Sequence, residues 1–238
     1  LNSGGSLDTS FNVGIGANNL VNTVAVQPDG KVLVGGLFTA VNGVPRNFVA
    51  RLDADGSVDN SFLNGLSGAN GSVRSIVIDT NGPALRILIG GNFTVVNGEV
   101  RQRVARLNAD GSIDPTFFDR TLIPSAGIDN SVLTLALQPD GKVLLGGQFT
   151  MVNGQPRNGI VRLDAVGQLD TTFLNGLTGA NDFVRTILVR QSLQAPGMNK
   201  IVIGGGFTEV NGIRRSRIAQ LDALDGALDP TINFADGF

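Results

Sequence analysis

Gly35-Gly36-Leu37-Phe38-Thr39-Ala40-Val41-Asn42-Gly43 decides the fold, because it does not occur only once. It returns as Gly90-Gly91-Asn92-Phe93-Thr94-Val95-Val96-Asn97-Gly98, then over 146–154 and 204–212. The starting positions 35, 90, 146 and 204 are separated by 55, 56 and 58 residues. Self-similarity at this period marks a repeat architecture, in which each unit is a small supersecondary structure that buries its apolar face only against a neighbour. A second marker, Leu7-Asp8-Thr9-Ser10-Phe11, returns at 58–62, 113–117, 169–173 and 228–232, five times against four. The chain therefore starts and stops out of phase with its repeat, and the marker at 228–232 implies that a parent chain continues.

Working outward from the first copy, Val24-Ala25-Val26 runs into Gln27-Pro28-Asp29-Gly30-Lys31, which reads as a strand entering a hairpin turn. Pro presets φ there and Gly takes the left-handed position. Lys31 to Gly36 is nearly continuous in apolar character, as a strand covered on both faces must be. The double Gly predicts a bulge or a close approach of neighbouring backbone. Asn42-Gly43 marks the next turn, residues 48–52 a third strand, Asp55-Gly56 another hairpin turn and 58–62 a short fourth strand.

Four strands joined by short turns, repeated at this interval, give the arithmetic of a propeller blade. The expected fold class is all-β, a β-propeller built from four four-stranded blades of about 55 residues, either a closed four-bladed ring or part of a larger ring. The whole of 1–238 is then one repeat domain, with a fourth-strand segment at 6–11 and units at 12–62, 63–117, 118–173 and 174–232. In a closed ring the segment 7–11 pairs into the last blade as a seal. Phe38, Phe93, Phe149 and Phe207 read as inter-blade core. The first hairpin varies in length, running over 79–85 in unit two and 191–199 in unit four, which places it on an exposed rim.

Composition narrows the function. Gly reaches 33 of 238 residues and charged residues only 16%, with net charge −2, so nothing here neutralises a nucleic-acid backbone. Cys and His are both absent, which removes thiolate nucleophiles, Cys-based metal sites and the commonest general base near neutral pH. No cofactor is expected. The longest apolar runs, such as Val32-Leu33-Val34, are strand-sized, so no membrane insertion is expected either. The chain begins at Leu1 without Met or a signal peptide and reads as a segment of something longer, with its targeting information elsewhere.

The pattern over 21–46, nearly repeated over 132–157 and followed by Ala50-Arg51-Leu52 and Ala54-Asp55-Gly56-Ser57, resembles the delta-60 repeat of bacterial proteins, a β-propeller domain of unknown function. The likeness spans 7–232. It implies a part of a large secreted or surface-attached bacterial protein, and it carries over no catalytic or cofactor-binding residue. Gln220 stands where Arg51, Arg106 and Arg162 stand, Ile232 replaces the marker Phe, and Val166 replaces a turn Asp.

Three constellations bear on chemistry. Arg46, Arg101, Arg157 and Arg215 each follow a repeat Asn by four residues, and as a ring of guanidinium groups they form a candidate site for an acidic glycan, carboxylate or phosphate. The alternative is structural: each pairs with a carboxylate of the Asp8, Asp59, Asp114, Asp170 and Asp229 series, since repetition in every unit marks a building part. Asp53, Asp55 and Asp59, echoed by Asn108, Asp110 and Asp114, gather hard oxygen ligands suited to Ca²⁺, but the spacing does not match an EF-hand. A carboxylate pair for glycoside hydrolysis has few candidates, because nearly every Asp fills a repeated slot and Glu occurs only at 99 and 209.

The expectation is therefore a non-enzymatic structural or interaction module, an adhesion or scaffolding unit at the cell surface or outside the cell. Its partner is a protein or glycan, and self-association through open blade edges is a further option. A ligand-binding propeller using the channel mouth or the Arg ring is the alternative, and a hydrolase with an Asp pair comes last.

Overall fold

The protein is described by a computed structural model over residues 2–12, 14–118, 127–190 and 199–230. The described residues contain strands and turns without a helix. Blade 1 holds β1 (Val21–Val26), β2 (Val32–Gly36), β3 (Ala40–Val41), β4 (Val44–Pro45) and β5 (Val49–Leu52). Blade 2 holds β6 (Val73–Asp79), β7 (Arg86–Gly91), β8 (Val95–Val96), β9 (Glu99–Val100) and β10 (Val104–Asn108). Blade 3 holds β11 (Val132–Leu137), β12 (Val143–Gly147), β13 (Met151–Val152), β14 (Gln155–Pro156) and β15 (Ile160–Leu163). Blade 4 holds β16 (Val184–Arg190), β17 (Lys200–Gly205), β18 (Glu209–Val210), β19 (Ile213–Arg214) and β20 (Ile218–Asp222). In each blade the first, second and fifth of these strands form an antiparallel sheet, and the two short ones form a separate hairpin.

The turn chemistry explains the hairpins. Asn42 and Gly43 both take positive φ, 52° and 74°, the double left-handed step of a type I′ turn joining β3 to β4. The expected fourth strand shrinks to single bridging pairs, Leu52 with Val58, Leu107 with Ile113, Leu163 with Leu169 and Leu221 with Leu228. The marker Asp is the physical reason. Its carboxylate accepts the amide two residues on, Ser61 on Asp59, Thr116 on Asp114 and Thr172 on Asp170, which bends the chain out of extension.

Both readings of the double Gly hold. The pairing of β1 with β2 shifts register between Val21 and Thr23, opposite Gly36 and Gly35, and the same bulge recurs in the other blades. The first Gly is also a seat for the next blade. A Cβ on Gly35 would lie 2.6 Å from Val73 Cγ1, one on Gly90 2.8 Å from Val132 Cγ1, and one on Gly146 2.8 Å from Val184 Cγ1.

Blades therefore stack face to face. One apolar cluster joins Leu33 and Val49 of blade 1 to Val73, Ile76 and Phe93 of blade 2. A second joins Leu88 and Val104 to Val132, Leu135 and Phe149, and a third joins Leu144 and Ile160 to Val184, Ile187 and Phe207. Phe38, the remaining member of its series, is buried within blade 1 beside Val34 and Ala50.

Among the described residues the stack does not close on itself. Strand packing runs from β1 to β6, β6 to β11 and β11 to β16, and blade 4 shares no comparable packing with blade 1. Residues 7–11 are not a seal on blade 4. They lie against blade 1 instead, where Phe11 packs on the cluster of Val34, Phe38 and Leu52 and Asn12 donates its amide to Asp55 O at 2.8 Å. The hairpin over 191–198 and Ile232 lie outside the described residues.

Candidate functional site

The charged groups that the fold gathers are the marker carboxylates. A short hairpin turn places Arg51 and Asp59 opposite each other on its two arms, and Arg51 Nε donates to Asp59 Oδ2 at 2.8 Å. Lys31, just before β2, reaches the same oxygen at 2.8 Å and Asp53 at 2.8 Å. The arrangement repeats. Arg106 and Arg86 hold Asp114 at 2.9 and 3.0 Å, and Arg162 and Lys142 hold Asp170 at 2.9 and 3.0 Å. In blade 4 Lys200 lies 3.1 Å from Asp229, while Gln220 supplies a neutral amide at 3.0 Å where the other blades have Arg.

Each of these Arg residues also reaches the blade that follows. Arg51 Nη1 donates to Ala109 O, Arg106 Nη1 to Ala165 O at 2.6 Å, and Arg162 Nη1 to Ala223 O. Each guanidinium lies over the marker ring, Arg51 over Phe62 at 4.7 Å, Arg106 over Phe117 at 4.7 Å and Arg162 over Phe173 at 4.6 Å. One side chain thus ties its own carboxylate, its own Phe and the next blade's turn.

Electrostatics follow the geometry. Burial alone would raise Asp114, but the Thr116 hydroxyl and amide and the Arg106 guanidinium outweigh it and hold the carboxyl at about 2, against a usual 3.8. Burial likewise works against Asp59 and Asp170, and their cations and hydroxyl donors pull both well below the usual carboxylate range. Asp53 and Asp59 raise Lys31, and Asp222 followed by Asp229 raises Lys200. Such carboxylates stay ionised near neutrality, the wrong state for a general acid.

The Arg series singled out in the sequence sits elsewhere. Arg46, Arg101, Arg157 and Arg215 each follow the small hairpin of their blade and curl back to donate to the carbonyl of the preceding residue, at 2.7 to 2.9 Å. Arg46 adds Asn60 Oδ1 at 3.0 Å, and Arg101 adds Glu99 at 2.9 Å. The pairing with the Asp59 series is therefore corrected: those carboxylates belong to Arg51, Arg106 and Arg162, which the hairpin register sets opposite them. The Nε of each of the four is buried without a hydrogen-bond partner.

The turn carboxylates proposed for Ca²⁺ are turned toward their own donors. Asp55 accepts the Ser57 amide and hydroxyl, and Asp110 those of Ser112. Among the described residues no group of three or more His, Cys, Asp or Glu converges as metal ligands do. Clefts open between neighbouring blades among the described residues. One of ≈ 500 Å³ lies between blades 3 and 4, lined by Asn130, Gln148, Asn181, Asp182 and Phe183. Another of ≈ 430 Å³ lies between blades 2 and 3, beside Arg86, Arg106 and Asp114.

The repeated unit has its counterpart among known families. The model described as domain of unknown function (DUF5122) beta-propeller matches residues 27–62, 86–117, 138–173 and 199–231, more than half of the chain. The chain belongs to this β-propeller family. Each of the first three DUF5122 matches encloses one whole clamp, from its β2-type cation to its marker Phe, and the fourth encloses the Lys200, Gln220 and Asp229 variant. Comparison with curated proteins finds no match. No helix among the described residues is long and apolar enough to cross a membrane.

Proposed function

We propose that this propeller is a non-enzymatic interaction module of a larger secreted or cell-surface bacterial protein, an adhesion or scaffolding unit of the delta-60 repeat type. The observation that carries the reading is the spending of the repeated carboxylates on structure. Asp59, Asp114 and Asp170 each accept two cations and a hydroxyl, and all three carboxyls lie below their usual value, as do Asp8, Asp55, Asp110 and Asp129. A hydrolase needs one carboxyl held protonated. A rigid body with short loops and no thiol suits mechanical presentation outside the cell.

The binding alternative rests on the cleft between blades 3 and 4 and on the Arg46, Arg101, Arg157 and Arg215 series, whose buried Nε groups have donor capacity to spare. A glycan and matrix-polymer array separates these readings. The module reading expects binding without turnover and unaffected by Asp114→Asn. Salt-sensitive binding lost in Arg46→Ala and Arg157→Ala supports the Arg series as the contact. Turnover abolished by Asp114→Asn defeats the module reading.

A further inference from the structure

Blade 4 departs from the repeat at a matched pair of positions. The backbone bond from Leu37 N to Leu20 O in blade 1 recurs as Asn92 to Ser72, Gln148 to Ser131 and Gly206 to Phe183. An aromatic ring thus stands where blades 2 and 3 carry serine, and glycine stands where they carry an amide side chain. The two changes depend on each other. A Cβ on Gly206 would strike the Phe183 ring at Cε1, Cζ and Cδ1, so the ring has its place only because residue 206 lacks a side chain. The residue before the ring is also particular to this blade: Asp182, where the others have Asn19, Gly71 and Asn130.

Asp182 and Phe183 line the cleft of ≈ 500 Å³ between blades 3 and 4, both walls of which lie within the described residues. At the same place between blades 1 and 2, Asn22 Nδ2 ties the seam by donating to Ser72 Oγ and Val73 O, both at 3.0 Å. Leu133 and Phe183 hold those two side-chain positions between blades 3 and 4, and neither can make the tie. The loop that carries the ring is held all the same. Asn181 donates to Thr208 Oγ1 at 2.9 Å and accepts the amides of Thr208 and Glu209 at 2.9 and 3.0 Å.

The polar groups of the cleft have capacity to spare. Asn130 Oδ1 accepts the Ser131 amide at 2.7 Å, while its Nδ2 and the side-chain amides of Gln148 and Asn158 have no partner among the described residues. Asp182 spends one carboxylate oxygen on the Phe183 amide at 2.6 Å and leaves the other open. Phe183 itself is partly exposed. Amides that both donate and accept, one carboxylate and one aromatic surface match the hydroxyls and the C–H face of a sugar ring. Asp182 is the charged residue of the lining, so it disfavours an anionic ligand. The volume falls within the range of small-ligand sites, about 300–1,000 Å³.

Building on the reading of the propeller as an interaction module, we propose that this cleft is a contact site of that module and that its ligand is an uncharged pyranose unit of a glycan. Phe183 supplies the surface for the C–H face of the sugar, and the open oxygen of Asp182 accepts from a hydroxyl. Asn130, Gln148 and Asn158 complete the hydrogen bonds from the facing blade. Because the two walls belong to different blades, the Arg162 bond to Ala223 O that fixes the angle of blades 3 and 4 also fixes the site.

The test is titration of the isotope-labelled chain with D-glucose, D-galactose, D-mannose and N-acetyl-D-glucosamine, and with D-glucuronate as the anionic counterpart, followed by amide NMR at low and high salt. At least one neutral sugar is expected to shift the amides of Gln148, Asn158, Asp182 and Phe183 equally at both salts, and glucuronate to bind more weakly than that sugar. Phe183→Ser, which installs the residue of blades 2 and 3, should weaken binding by more than about tenfold, and Asp182→Asn severalfold, with the amide spectrum of blades 1 and 2 unchanged. No response to any of the four neutral sugars, binding indifferent to Phe183→Ser, or tighter binding of glucuronate overturns the proposal. Chemical conversion of the bound sugar would uphold the site and defeat the module reading. Array binding through Arg46 without a response at the cleft would overturn the site and leave that reading standing.

Discussion

Arg106 Nη1 donates to the carbonyl oxygen of Ala165, 2.6 Å away and in the following blade. Because Arg106 Nε also holds Asp114, the hydrogen bond between blades and the ion pair within a blade share one rigid fork. The blades are thus fixed in angle by a polar clamp at their margin and in distance by glycines at their centre.

Arg106→Leu should cost about 3 kcal/mol in urea unfolding, the low end for breaking a buried pair, because Arg86 remains 3.0 Å from the orphaned carboxylate. Arg106→Lys should recover only part of this, since an ammonium cannot serve Asp114, Thr116 and Ala165 together.

The Gly seats should differ by position. Gly90→Ala drives a Cβ to 2.8 Å from Val132 Cγ1 and up against Leu135 of the next blade and should cost about 2 kcal/mol, while Gly204→Ala meets at short range only Thr186 Cγ2 of its own blade, at 2.9 Å, and should cost less. Chemical unfolding of both variants at low protein concentration checks the comparison.

Asn97 carries two roles that substitutions separate. Its positive φ of 51° forms the turn, and its side chain accepts from Gly68 N and donates to Gly111 O, both at 2.9 Å. Asn97→Gly keeps the turn and loses the two bonds, so a drop of about 2 kcal/mol measures the tie alone. Asn97→Ala should lose more, having the strained φ in addition.

Stability should fall with acid in a defined window. Asp59, Asp114 and Asp170 all titrate lower in the folded chain than the usual 3.8, so the unfolded chain takes up protons first as pH falls. Their contribution is complete above that value and is lost as pH drops toward about 2, where Asp114 itself protonates. Thermal melts from pH 5 to pH 2 should show this decline, shallower in Asp114→Asn because one such group is gone.

Much of the fold could be read from the chain because its signals are local and repeated. Asn42-Gly43 and Asp55-Gly56 require turns for backbone reasons, and the Gly35-Gly36 pair announced both the bulge and the close approach. The fourth strand is shorter than its pattern suggests, since Asp59 bends the chain with its own side chain at a position that reads as extended. The partner of the marker Asp is Arg51 and not Arg46, because Arg51 and Asp59 flank one short turn whose register makes them neighbours. That Val24 is exposed and Ile76 buried has no signal in the sequence, because the two are alike as residues.

The central claim is that the blades are held by valine methyl groups seated on the preceding blade's glycines. Methyl NOE spectroscopy on an isotope-labelled chain tests it directly. Cross-peaks are expected from Val73 to Gly35, from Val132 to Gly90 and from Val184 to Gly146, whose neighbouring atoms are in van der Waals contact. Absence of all three from an otherwise well-resolved spectrum contradicts the account.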